Sequence, residues 1–226
     1  MSILKIMLNP SNQYDNVGND GIVEAERSRD FAERIKSKII GDTGFDVKIT
    51  EKDVTDNLQA VVQQENAYKP HVFLSLHSNA GPINNASGVE CYYYQGTEFT
   101  RKISERLVNA TNEILNIPKR GVFTSSQAPD GGLYVVDRTT APAMLIETFF
   151  HTSDADIDAY KRNIDKLANE FAYILKDACI AEYGRPETPG VKYLYDKGYT
   201  SQILVPDTVI TAEMLGLMFK RHDGVK

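Results

Sequence analysis

Three residues in this chain have side chains suited to holding a metal or to moving protons, and each stands at the end of an element. His77 follows the apolar run His71-Val72-Phe73-Leu74-Ser75-Leu76 and precedes the small polar stretch Ser78-Asn79-Ala80-Gly81. In open α/β sheets ligands bind beyond the carboxyl ends of the strands, which is where a histidine so placed falls. Taken singly, it also reads as an ordinary hydrogen-bonded loop residue. Glu147 closes the run Ala143-Met144-Leu145-Ile146 and is followed by Thr148-Phe149-Phe150-His151. A carboxylate ending an apolar strand is costly to bury unless it is paired, ligating or catalytic. If the strand runs that far, alternation puts Glu147, Phe149 and His151 on one face; otherwise His151 is a solvated residue ahead of the next helix. Glu24 and Glu26 open the first helical segment and, two positions apart, point to different sides of it, so at most one faces a site. Acidic residues in a first turn also complement the helix dipole with no further role. Glu24, His77 and Glu147 together are the residue types of a catalytic zinc: about three N or O ligands, an open position for water, and a carboxylate as general base. No HExxH-type spacing ties them locally, so the fold must bring them together.

The elements needed to do so are legible as an alternation of short β-branched or aromatic runs with longer helical ones, the pattern of an α/β domain. Residues 3–8, 45–49, 71–76, 88–94, 133–136 and 143–149 read as strands, and 24–40, 57–67 and 97–115 as helices. The clearest helix is 154–182, where Ile157, Tyr160, Ile164, Leu167, Phe171, Ile174 and Ala178 recur every three or four positions. The expected architecture is a single catalytic α/β domain, with a mostly parallel twisted sheet flanked by helices, over residues 1–183. The stretch Gly184-Arg185-Pro186-Glu187-Thr188-Pro189-Gly190 punctuates the chain as a linker. Residues 191–226 form a short C-terminal appendage, too small for an independent core unless it docks or self-associates.

Composition narrows the function classes. The chain has 226 residues, 42% of them hydrophobic and 25% charged, which argues against disordered or fibrous classes. Lys plus Arg number 25 against 31 for Asp plus Glu, a net charge of −6, the opposite balance from a protein that neutralises phosphates, so no nucleic acid partner is expected. Lys5, Glu147 and Lys176 interrupt the most apolar stretches, and no run is long enough to span a membrane. The start, Met1-Ser2-Ile3-Leu4-Lys5, lacks the basic and apolar regions of a signal peptide. Cys91 and Cys179 read as reduced, buried side chains. His71 reads as a strand-edge residue, Glu90 as facing solvent, and His222 falls in the appendage.

At this point five segments carry a resemblance: Ser75-Leu76-His77-Ser78-Asn79-Ala80, Gly88-Val89-Glu90-Cys91-Tyr92-Tyr93, Arg120-Gly121-Val122, Leu133-Tyr134-Val135-Val136 and Pro142-Ala143-Met144-Leu145-Ile146-Glu147. In order and approximate spacing they resemble the zinc-dependent N-acetylmuramoyl-L-alanine amidases of the amidase-3 family, found in bacterial autolysins and phage endolysins, over residues 1 to about 180. The resemblance implies that His77 is a zinc ligand and Glu147 the catalytic glutamate. Gly21-Ile22-Val23-Glu24 matches the segment of the glutamate ligand and favours Glu24 over Glu26. Asn79 and Arg120 are implied as substrate-binding residues, peptidoglycan as the partner, and Zn2+ as the cofactor.

One departure stands at the first strand. Most members end it in a leucine, aspartate, proline, glycine, histidine motif whose histidine is a zinc ligand. Here Leu8-Asn9-Pro10-Ser11-Asn12-Gln13 puts Asn12 in that place, and a neutral amide oxygen is a poor zinc donor beside imidazole. Either His151 completes the coordination, or Asn12 does so through a water, or the metal is held weakly or lost. The implied activity is hydrolysis of the amide between N-acetylmuramic acid and L-alanine, as a phage or prophage endolysin held in the cytoplasm until it is released to the wall. A metal-free peptidoglycan-binding relative and a zinc peptidase acting on the stem peptide stay open. The appendage serves wall binding or formation of a homo-oligomer.

Overall fold

Runs that are apolar at nearly every position become the inner strands, because a strand covered on both faces leaves no place for alternation. β1 (Leu4–Pro10) and β3 (Val72–Asn79) are of this kind, and so is β6 (Ala143–Phe150). In the computed structural model, which describes residues 3–42, 44–51, 57–82, 84–129 and 131–184, they form the middle of a six-stranded sheet. β2 (Phe45–Ile49), β4 (Val89–Tyr93) and β5 (Lys119–Thr124) complete the order β2-β1-β3-β6-β4-β5. Neighbours run parallel except at β4 and β6, which are antiparallel. The mostly parallel sheet of the sequence reading is therefore observed, with one reversed junction.

Alternation along the strands feeds two separate cores. Leu4, Ile6 and Leu8 of β1, Leu74 and Leu76 of β3, and Met144 and Ile146 of β6 pack beneath α1 (Glu24–Ile39), α3 (Glu98–Leu115) and α5 (Asp154–Tyr183). Met7, Phe73, Tyr92 and Leu145 point the other way, toward α2 (Leu58–Tyr68) and the short α4 (Tyr134–Asp137). The larger core is held by aromatic side chains, with Phe31 5.1 Å from Phe171 and Phe149 stacked 4.4 Å from Tyr160. Burying each such ring is worth about 1.5–3 kcal/mol relative to leaving it in water. The periodic positions anticipated in the last helix are the ones it buries, apart from Ile164, which is only partly covered.

Two local readings are corrected. Residues 133–136 form no strand: Tyr134–Asp137 is a helical turn, because the Asp137 carboxylate accepts hydrogen bonds from the Leu133 N–H at 2.9 Å and the Ser125 hydroxyl at 2.5 Å. That turn still buries Val135 and Val136, so their apolar character is met without strand pairing. Conversely, β5 begins on the charged Lys119-Arg120 and contains Gly121, which hides a strand in the sequence; it forms as an edge, paired on one side with β4. The linker from residue 185, the appendage at 191–226 with its suggested oligomerisation, and His222 lie outside the described residues. No described helix is long and apolar enough to cross a membrane.

Candidate active site

The carboxyl ends of β1, β3 and β6 and the amino end of α1 meet at one edge of the sheet. Three register relations bring the acidic and imidazole side chains together there. His77 on β3 is the parallel partner of Glu147 on β6, so the two side chains share a face. Glu90 on β4 stands directly opposite Glu147 across the antiparallel junction. Glu24 enters from the first turn of α1, whose positive end suits a carboxylate, and it is 1% exposed. Glu26 is exposed, so the helix turns one of its two first-turn carboxylates inward, as spacing requires.

Glu24 is the hub of the site. Its Oε1 lies 3.0 Å from His77 Nδ1 and accepts a longer bond of 3.4 Å from the Ser78 N–H. Its Oε2 accepts from Asn16 Nδ2 at 3.1 Å and stands 3.9 Å from His151 Nδ1. Burial works to raise the Glu24 carboxyl, but the His77 hydrogen bond and charge, with Ser11 and Asn16 adding, hold it below the ordinary carboxylate range. Burial likewise works to lower His77, and the carboxylates of Glu24 and Glu147 outweigh it and raise the imidazole. Glu147 has no such partner. Its Oε2 is shielded from solvent and meets no hydrogen-bond donor among the described residues. Burial pushes its carboxyl up to about 7; His77 opposes the rise, while the charges of Glu24 and Glu90 add to it.

His151 departs from the strand-face reading. The register shifts between His77 and Asn79, where Asn79 pairs with Phe150, and this irregularity ends the alternation beyond Glu147. Phe149 accordingly packs into the larger core, and His151 sits in the turn after β6, 2% exposed, its Nδ1 2.9 Å from the Ser78 hydroxyl. It flanks Glu24 on the oxygen opposite the one His77 uses. Burial lowers its imidazole below the ordinary histidine range, against the opposing pull of the Glu24 carboxylate. Asn12 follows the end of β1 and is half-buried. Among the described residues, no three His, Cys, Asp or Glu side chains gather at a spacing that holds a metal.

Sequence reasoning missed Glu90. It is 7% exposed rather than solvated, and its Oε2 takes the Arg120 Nε at 2.6 Å. Its Oε1 accepts from Asn79 Nδ2 at 2.8 Å and from the Tyr92 hydroxyl at 3.1 Å. Asn79 and Arg120 thus meet on one carboxylate. The available signal was parity, since Glu90 and Tyr92 alternate with the core residue Cys91; what parity lacks is the neighbour, Glu147. A second buried carboxylate, Asp156 in α5, ties the site's loops down by accepting from Ser87 Oγ, the Gly88 and Phe150 N–H groups and Ser153 Oγ. Gly88 is required at its position, where φ is 119° and a Cβ would lie 2.4 Å from the Pro118 carbonyl oxygen.

Comparison with known proteins identifies the family and the fold. The family model Amidase_3, described as N-acetylmuramoyl-L-alanine amidase, matches residues 6–176. The amidase LytC of Bacillus subtilis is 27% identical over 170 residues, covering 74% of this chain and 32% of LytC, so the chain spans about a third of that relative's length. Among solved structures, an N-acetylmuramoyl-L-alanine amidase from Clostridium difficile 630 superposes with a TM-score of 0.65 at 17% identity, covering 81% of this chain and 98% of its own. The catalytic domain of the CD27L endolysin gives 0.64 at 18% identity, covering 77% and 97%. At these identities the likeness to solved structures is one of fold.

Proposed function

The chain belongs to the N-acetylmuramoyl-L-alanine amidase family, and from that premise we propose that it hydrolyses the amide joining N-acetylmuramic acid to the first L-alanine of the peptidoglycan stem peptide. The observation that carries this reading is Glu147, buried with one oxygen unpartnered among the described residues and in register with His77, which in turn contacts Glu24. Glu147 takes a proton from the attacking water as the water's oxygen bonds to the scissile carbonyl carbon. It then delivers that proton to the alanine nitrogen as the carbon–nitrogen bond breaks. His77 is the register partner of Glu147 on the neighbouring strand, and Glu24 contacts His77.

We propose further that the activity uses zinc, with Glu24 and His77 as its protein ligands. The support is their chemistry and placement: a carboxylate oxygen and an imidazole nitrogen 3.0 Å apart, both turned to the sheet edge that Glu147 faces. Zinc held there supplies a Lewis acid for the scissile carbonyl and the water. No third strong donor joins the pair among the described residues, and Asn12 offers only an amide, so these side chains would hold the ion less tightly than three strong protein ligands would. His151 acts as a positioning residue through its contact with the Ser78 hydroxyl.

Digesting purified peptidoglycan and analysing the fragments by mass spectrometry tests both parts. Full-length stem peptides with a free N-terminal L-alanine, lost with chelator and regained with zinc, are expected. Shortened stem peptides would make the protein a peptidase. Wall binding with no released product would make it a non-catalytic relative.

A further inference from the structure

Glu90 is a buried carboxylate that the hydrolysis does not use, and it holds an arginine facing outward. Arg120 gives only its Nε to Glu90, and its side chain is 43% exposed. Its guanidinium lies over the Phe150 ring, with Cζ 4.9 Å from the centroid. Among the described residues nothing accepts a hydrogen bond from Nη1 or Nη2. The planar group is therefore fixed along one edge, by Glu90, and across one face, by Phe150, while the outer edge is left to solvent. Asn79 and Tyr92 fill the other oxygen of Glu90, so the carboxylate is saturated and holds its orientation.

We propose that Arg120 forms a carboxylate-binding subsite of the active site, selecting stem peptides that carry a free carboxylate one residue beyond the L-alanine; this rests on the amidase reading. The outer fork of a guanidinium matches a carboxylate with two parallel hydrogen bonds, which an ammonium or amide cannot reproduce. The placement fits in scale. Glu90 separates Arg120 from Glu147 by one strand, so the two lie about two strand spacings, roughly 10 Å, apart at the backbone, and the arginine side chain reaches back over Phe150. A carboxylate two residues from the scissile carbonyl lies about 7 Å from it along an extended chain. Charge argues the same way. Glu24, Glu90 and Glu147 crowd this edge with acidic groups that repel an anionic substrate, and a cation turned outward offsets that repulsion where the substrate's carboxylate approaches.

The test compares N-acetylmuramoyl-L-alanyl-glutamate, with the glutamate's free α-carboxylate, against the same compound with that carboxylate amidated. We expect the wild type to favour the free carboxylate by about 10- to 100-fold in kcat/KM, expressed in KM. Arg120→Gln should collapse the ratio to near one, and Arg120→Lys should leave an intermediate ratio. A merely structural role for Arg120 would lower both substrates together and keep the ratio, which would overturn the proposal, as would a wild type without preference. Binding of both compounds to Glu147→Gln, by calorimetry, gives a readout without turnover. The same preference in Kd, lost in the double variant with Arg120→Gln, supports the subsite even if the wild type cleaves neither compound, an outcome that would refute the amidase reading alone. Equal Kd values would refute the subsite.

Discussion

Glu147→Gln separates activity from stability in opposite directions. The amide keeps the shape of the side chain and removes both its charge and its capacity to take a proton. A positioned general base contributes about 10²- to 10⁴-fold, so turnover of peptidoglycan should fall by that factor. Stability should move the other way. The Glu147 carboxyl sits at about 7 in the folded chain against an ordinary 4.5, first because burial disfavours the ion, with Glu24 and Glu90 adding to the effect and His77 opposing it. A carboxyl raised in this way binds its proton more tightly folded than unfolded. Below about pH 4.5 both states are protonated and nothing is lost. Between 4.5 and 7 the unfolded chain ionises first, and stability falls. Above about 7 the loss is complete, at about 3 kcal/mol if each pH unit of the difference is worth about 1.4 kcal/mol. The glutamine still has to find hydrogen-bond partners, so the variant should gain about 1–3 kcal/mol over wild type at pH 8 and almost nothing at pH 4.5. In a domain of this size that is a Tm higher by about 2–10 °C. Thermal unfolding followed by circular dichroism from pH 4.5 to 8.5, with chelator present so that no cation stabilises the carboxylate, reads it directly. An advantage that does not grow across this range would refute the account of Glu147 as a strained buried acid. Activity within tenfold of wild type would refute its role as the base.

Three further outcomes are expected. Glu24→Gln should weaken zinc binding by more than about 10-fold in competition with a chromogenic chelator; unchanged affinity would remove Glu24 as a ligand. Asp156→Ala leaves the Gly88 and Phe150 N–H groups without their acceptor in a buried position, and should cost about 3 kcal/mol or more in denaturant unfolding. A loss below about 1 kcal/mol would mean that this carboxylate does not anchor the site's loops. Cys91 and Cys179 are both buried, and burial pushes each thiol up to about 12, so neither should react with a thiol reagent in the native protein at pH 8 and both should do so once unfolded. Labelling of either in the folded chain would contradict its burial.

Much of this molecule is written locally. The apolar runs at β1, β3 and β6 and the three-to-four spacing along α5 follow from burial on two faces and on one stripe, and these are properties of neighbouring residues. The end-of-strand positions of His77 and Glu147 are local in the same sense, and a parallel sheet collects such ends at one edge. Two local patterns misled because a competing interaction won. Asp137 captured the Leu133 N–H and turned an apolar run into a helical turn. The charged, glycine-containing start of β5 suited an edge strand, which needs a partner on only one side.

The sequence by itself determined which side chains were available for chemistry and at which strand and helix ends they stand. Only the tertiary structure decided which of them meet. The antiparallel insertion of β4 beside β6 put Glu90 opposite Glu147 and made it the anchor of Arg120, whereas its own neighbours in the chain pointed it to solvent. The register shift near the end of β3 and β6 withdrew His151 from the face of Glu147 and set it against Ser78. The physical reason is that periodicity fixes the face a side chain takes on its own strand. Which strand lies alongside, in what direction and in what register, is settled by pairing between segments far apart in the chain.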